Sequence, residues 1–168
     1  MSISPSLEQT VNLSEELLTN QLKHDVKEIF STMVGLDNLL HLPIKVDPVS
    51  DFKDCISGMV GMAGTYNGLA SIHMPTELAM RATSSMLGTA ITELNDDVND
   101  AIGEMANMIA GSFKLRLSKS GLDIQLSTPS VIFGKEYFIA LGNNPKQLAV
   151  RFATDDDWFM VVIAFNEN

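Results

Sequence analysis

Asp97-Val-Asn-Asp100-Ala-Ile-Gly103-Glu104-Met-Ala-Asn107-Met-Ile-Ala-Gly111-Ser-Phe113 is the most regular stretch of the chain. At about 100° per residue, Val98, Ile102, Ala106, Ile109, Phe113 and Leu117 gather on one side and mark a core face. Asp100, Glu104, Asn107 and Gly111 gather within about 60° of one another on nearly the opposite side, so they should meet solvent together. Asp96 and Asp97 sit at the positive end of this helix, and Lys114, Arg116 and Lys119 lie near its negative end. Asn95 or Asp96 should begin it, Lys119 end it, and Gly121 terminate it.

Working outward, Leu18, Leu22, Val26, Ile29, Phe30 and Met33 recur with helical spacing and predict a first long helix over Ser14 to Met33, stopped by Gly35. Residues before Ser14 are a leader, frayed or extending that helix. Ile44 to Val49 reads as a strand, and Cys55 to Thr65 as a Gly- and Met-rich apolar run. Asn67-Gly68 supplies the positive backbone angles of a tight hairpin turn into a strand Leu69 to Met74. Pro75-Thr76-Glu77 opens a short helix to about Leu87, with Gly88 just past its end. The small residues Gly58, Gly61, Ala63 and Gly64 leave room for something to pack closely on that sheet face, a helix or a second subunit.

After the long helix come short apolar stretches, Leu122 to Leu126, Val131 to Phe133, Tyr137 to Leu141, Leu148 to Phe152 and Trp158 to Phe165. Turn-rich pieces around Pro129, Gly142 to Pro145 and Asp155-Asp156-Asp157 separate them. The expected fold is α+β, a mainly antiparallel sheet packed with long helices. No linker divides the chain, so residues 21–168 are expected to form one domain behind an N-terminal leader or helix extension at residues 1–20.

The chain has 168 residues, 45% of them hydrophobic, and its mean hydropathy is +0.13. A domain of this size buries roughly 70% of the surface its unfolded chain exposes, so its core needs no disulfide or metal. Cys55 is the single cysteine and is read as a small buried hydrophobe. A net charge of -10 argues against nucleic acid and against an anionic membrane surface, both of which call for clustered cations. No stretch of ~18 apolar residues spans a bilayer and no signal peptide opens the sequence, so the expected compartment is the cytoplasm.

Most enzyme signatures are missing. His24, His41 and His73 lack acidic or histidine neighbours at metal-ligand spacing and are read as surface or boundary residues. Gly58-Met-Val-Gly61-Met-Ala-Gly64 lacks a phosphate-facing lysine, and no GxSxG elbow occurs. Asp155-Asp156-Asp157 lacks the ligand alternation of a calcium loop and is read as a solvated hairpin turn. What stands out is the polar stripe of the long helix, flanked by Ala101, Gly103, Ala110 and Gly111. A mid-helix glycine is about 0.8–1 kcal/mol less favourable than alanine. Two of them suggest close approach of a partner's backbone, although Gly103 could equally admit a crossing helix or sheet of the same chain.

The string Asn99-Asp-Ala-Ile-Gly-Glu-Met-Ala-Asn-Met-Ile-Ala-Gly111 resembles the CheC/CheX/FliY family of chemotaxis phosphatases. The family's signature is an acidic residue or serine, three residues, Glu, two residues, Asn, and a proline some twenty residues later; Asp100, Glu104, Asn107 and Pro129 match it. The order of elements is similar over most of the chain, and less so over residues 1–20. Two-site members carry ExxN on a second helix, but Glu77-Leu-Ala-Met80 lacks the Asn, which leaves one site and points to the CheX branch.

The resemblance implies a homodimer that hydrolyses the aspartyl phosphate of a CheY-like response regulator. Glu104 and Asn107 would be the catalytic residues: Glu104 would pair with the receiver's active-site lysine, and Asn107 would orient the attacking water. Asp100 is auxiliary, either holding the receiver or lengthening the stripe. Pro129 is expected to shape a loop near the site and to perform no chemistry. Mg²⁺ would be supplied by the receiver, so no cofactor or metal ligand is expected in this chain. The competing reading keeps fold and dimer but makes the helix a docking platform without turnover; a small-molecule sensor built on the Gly- and Met-rich sheet is a weaker third.

Overall fold

The computed structural model describes residues 15–41, 51–119, 121–140 and 146–166. Helix α1 spans Glu15–Ile29 and runs into a π turn, Phe30–Val34, that ends at Gly35 with φ 75°. Strand β1 (Leu40–His41) precedes the long β2 (Asp51–Gly64) and β3 (Asn67–Pro75). Helices α2 (Thr76–Leu87) and α3 (Asp96–Ser118) follow, then β4 (Ile124–Leu126), β5 (Ser130–Phe138), β6 (Lys146–Ala153) and β7 (Trp158–Asn166). The expected strand at Ile44 to Val49, the leader before Glu15 and the turn at Gly142 to Pro145 lie outside the described residues. Leu18 is buried in the main core, so the chain from Glu15 onward belongs to the packed body.

The strands form one antiparallel seven-stranded sheet in the order β1-β6-β7-β3-β2-β4, with β5 also paired to β2. The expected α+β architecture is present. Helices α1, α2 and α3 cover one face: Ile56, Val60 and Ile72 of the sheet share a core with Leu22, Val26, Leu78, Ile102, Ile109 and Phe113. The seat of α3 is Gly58, where a β-carbon would lie 2.9 Å from the Ile102 carbonyl oxygen and 3.1 Å from the Ala106 β-carbon. The close packing read from the small residues is thus an intrachain helix at Gly58; Ala63 is exposed instead.

The hairpin between β2 and β3 exists, but Asn67-Gly68 is not its turn. Both residues are already in β3, with Gly68 opposite Met62, and the positive φ, 145°, falls on Gly64. Tyr66 explains the shift. It is 9% exposed and meets Phe165 edge-on at 6.3 Å, so burying it pulls the turn up to Thr65-Tyr66. Gly68 serves close approach, since a β-carbon there would collide with the Ala164 carbonyl. A second irregularity, Asp54 at φ 49°, reverses the alternation of β2, so that Phe52 and Cys55 share the small cluster containing Met160 and Val162.

The reading of His73 as a surface or boundary residue is overturned. It is 4% exposed, between Ser57 and Ser71, with Phe52 stacked on its ring at 4.5 Å. One donor order satisfies the whole chain. Ser71 Oγ donates to the Val162 carbonyl (3.4 Å), so it accepts from His73 Nε2 (2.8 Å). His73 Nδ1 then accepts from Ser57 Oγ (2.6 Å), which in turn accepts from the Tyr137 hydroxyl (2.8 Å). Burial holds the imidazole pKa down at about 4, keeping it neutral as this order requires. His24 is exposed as expected of a surface residue, but the reading that it lacks an acidic neighbour is corrected: Glu28, one helical turn on, brings its carboxylate to 3.4 Å. Cys55 is buried, its thiol on the Lys53 carbonyl at 3.2 Å and its pKa raised mainly by burial.

Candidate functional site

Helix α3 is held at both ends and along one side. Asn95, in an extended conformation, accepts from the Val98 N–H at 3.1 Å, and Asp96 and Asp97 fill the first turn. Beyond Ser118, Gly121 takes φ 87° and the Leu122 N–H reaches back to the Leu117 carbonyl at 3.2 Å. Arg116 grips Asp25 of α1 with two hydrogen bonds, 2.9 and 2.7 Å, fixing the helix's rotation about its axis. All six residues assigned to the core face are buried.

With that face fixed, Asp100 and Glu104 are exposed and Asn107 is partly buried. None of the three makes a side-chain hydrogen bond or ion pair among the described residues. Helical geometry separates Glu104 and Asn107 by about 4.5 Å of rise and about 60° of rotation, so a carboxylate and an amide present side by side from a rigid support. Among the described residues, no group of three or more His, Cys, Asp or Glu is arranged to hold a metal ion. The exposed Asp155 and Asp156 and the partly buried Asp157 form the turn between β6 and β7, and Asp157 is paired with Arg81.

Pro129 lies against this helix. A β-carbon on Gly103 would stand 3.4 Å from Pro129 Cβ and 3.7 Å from a Val131 methyl. The contact is set up from β2. Beyond β4, Ser127 exchanges two bonds with Gly61: its Oγ accepts from the Gly61 N–H at 2.8 Å, and its own N–H donates to the Gly61 carbonyl at 2.9 Å. The chain between β4 and β5 is thereby pinned where β2 changes partners, and Pro129 is delivered to the residue before Glu104. Ser127 was not singled out from the sequence; its partner Gly61 is distant in sequence, and no local pattern links them.

The small flanks of the stripe need correction. Ala101, Gly103 and Ala110 are buried within the chain itself, so Gly103 admits the Pro129 segment and not a partner. Gly111 differs, with nothing within 4 Å of a β-carbon there. A cleft of about 220 Å³ lies elsewhere, between the end of α1, α2 and the β6–β7 turn, lined by Leu78, Arg81 and Ala82 among others. Asp100, Glu104, Asn107 and Gly111 do not line it.

The family model of the chemotaxis phosphatase CheX matches residues 56–153, a span that contains α3, Glu104, Asn107 and Pro129. The chain belongs to the CheX family. A CheY-P phosphatase CheX from Thermotoga maritima is 22% identical over 142 residues, covering 84% of this chain and 91% of that protein. The crystal structure of the chemotaxis protein CheX from Vibrio vulnificus is 27% identical, with a TM-score of 0.76 over 91% of this chain and 99% of that one. A CheX solved as a CheX-CheY-BeF3-Mg²⁺ complex from Borrelia burgdorferi is 22% identical and superposes with a TM-score of 0.76, covering 88% and 97% of the two chains. CheX relatives thus share this fold over nearly their whole length. Among the described residues no helix is long and apolar enough to cross a membrane.

Proposed function

We propose that this chain hydrolyses the aspartyl phosphate of a CheY-like response regulator, with Glu104 and Asn107 entering the receiver's active site. Family membership supports the reaction class, since the Thermotoga relative is named for CheY-P phosphatase activity and the Borrelia relative was solved with CheY. The observation that carries the residue assignment is the accessible Glu104–Asn107 pair on one side of an anchored helix.

An acyl phosphate is already activated, so the enzyme's task is positioning and charge stabilisation. The Asn107 amide, both donor and acceptor, holds a water in line with the phosphorus. Water oxygen bonds to phosphorus as the bond to the aspartyl oxygen breaks; the aspartate carboxylate departs, and both protons of the water leave with inorganic phosphate, one on the attacking oxygen and one passed to a phosphoryl oxygen. A neutral amide suffices because no strong base is required. Glu104 pairs with the receiver's lysine and sets the register of the two proteins. Mg²⁺ is held by the receiver, and Asp100 extends the polar stripe.

The homodimer belongs to the same proposal. Its support is β5, which pairs only with β2 among the described residues and carries the exposed Ile132, Phe133 and Phe138. The test of the function is the lifetime of a purified phosphorylated CheY receiver with and without this protein. Shortening in proportion to the amount of protein added is the expected result; unchanged lifetime despite measurable binding selects the docking platform.

A further inference from the structure

The open backbone at Gly111 lacks an explanation within the chain. Glycine is required in a fold where φ is positive or where a β-carbon would collide with neighbouring atoms. Gly111 lies in the regular part of α3 and is absent from the positive-φ glycines. A β-carbon there would meet nothing within 4 Å, whereas at Gly58 and Gly103 it would touch Ile102 and Pro129. Alanine would therefore fit and would favour the helix.

The surroundings form a surface. By helical rotation Met108 and Leu115 flank Gly111 within about 60° on the side that carries Glu104. Leu115 is 59% exposed, whereas Met108 is partly buried and packs against the main core. The stripe thus changes along its length, from carboxylates at Asp100 and Glu104, through the amide, to a bare backbone notch between two apolar side chains.

We infer that Gly111, with the exposed Leu115, is the docking contact that seats the phosphorylated receiver beside the catalytic pair. The inference rests on the function proposed above, which also fixes the occupant. A standard interface covers about 800 Å² on each partner, a patch roughly 16 Å in radius. Gly111 is about 6 Å and Leu115 about 12 Å along the axis from Asn107. A folded domain whose contact is centred on Asn107 would therefore cover both residues. Glycine lets a backbone segment of the receiver lie against the helix, and the Leu115 side chain meets its apolar edge. Gly111 and Leu115 act on binding and leave the chemistry to Glu104 and Asn107.

The test compares wild type, Gly111→Ala and Gly111→Leu with a CheY receiver. Turnover is followed on the receiver phosphorylated by acetyl phosphate and Mg²⁺, and affinity on its BeF3⁻ form. Gly111→Leu should raise KM and Kd by about tenfold or more, the scale of a central interface residue, with kcat little changed. Both variants should melt at or above the wild-type temperature, which separates this effect from misfolding. Unchanged KM and Kd for Gly111→Leu would overturn the inference, as would a fall in kcat alone. If wild type binds the receiver but leaves its lifetime unchanged, the phosphatase reading fails on its own. The Kd comparison then still decides the docking contact.

Discussion

A β-carbon placed on Gly103 would stand 3.4 Å from Pro129 Cβ, so Pro129 lies against the helix residue that precedes Glu104. That distance is ordinary van der Waals contact, which makes substitution at Gly103 depend on size. Gly103→Ala should be tolerated and gain up to about 1 kcal/mol from helix propensity. Gly103→Leu should drive Pro129 off the helix and lose about 1–3 kcal/mol by overpacking. Urea melts of the two variants check this; a Leu variant as stable as the Ala variant would show that the Pro129 segment is not packed there.

Gly58 leaves no such latitude. Its neighbours are the Ile102 carbonyl oxygen at 2.9 Å and side-chain atoms of Ile102 and Ala106 at 3.0 and 3.1 Å, and an α-helical carbonyl cannot swing aside. Gly58→Ala should destabilise by about 1–3 kcal/mol and displace α3 from β2. A denaturant midpoint equal to that of wild type would contradict the helix seat.

The Asp25–Arg116 pair ties α3 to α1, and its side chains retain 14% and 26% exposure. Loss of the arginine leaves a mostly buried carboxylate without its partner, an effect of about 1–2 kcal/mol. A double-mutant cycle with Arg116→Ala and Asp25→Asn should show positive coupling energy. Strict additivity would reduce the pair to a surface contact.

Acid should weaken the fold through His73. Its folded pKa is lowered from 6.5 to about 4, so between those values the unfolded chain binds a proton that the native state refuses. Stability contributed by the neutral ring is therefore present above pH ~6.5 and lost as pH falls toward 4, by up to about 3 kcal/mol. His41 is also lowered to about 4, by partial burial and then by Lys23 and Lys27, but its greater exposure makes its share smaller. Melting temperature measured from pH 7 to 4.5 should fall less steeply for His73→Gln than for wild type; parallel slopes would assign the acid sensitivity elsewhere.

Helix α3 was legible because 23 residues of one period carry both faces and both caps in a single continuous stretch. Gly88 likewise ends α2 at φ 71°, the local geometry its sequence position demands. The features that escaped sequence reading depend on distant partners. Asn67-Gly68 has the composition of a turn, yet Tyr66 packing on Phe165 decides where the chain reverses. Ser57, Ser71 and His73 look unrelated until the β2–β3 register sets Ser57 opposite His73. Gly103 and Gly111 are chemically identical, and only the position of Pro129 shows that one is filled by the chain itself and the other left open.

The proposed role of the Asn107 amide is to orient the hydrolytic water. Single-turnover loss of phosphate from a CheY receiver, with saturating Asn107→Ala, tests it most directly when affinity for the BeF3⁻ receiver is measured in parallel. Retained binding is expected, with a rate lowered about 100-fold or more, toward that of the receiver alone. A wild-type rate from the folded, receiver-binding variant would contradict it.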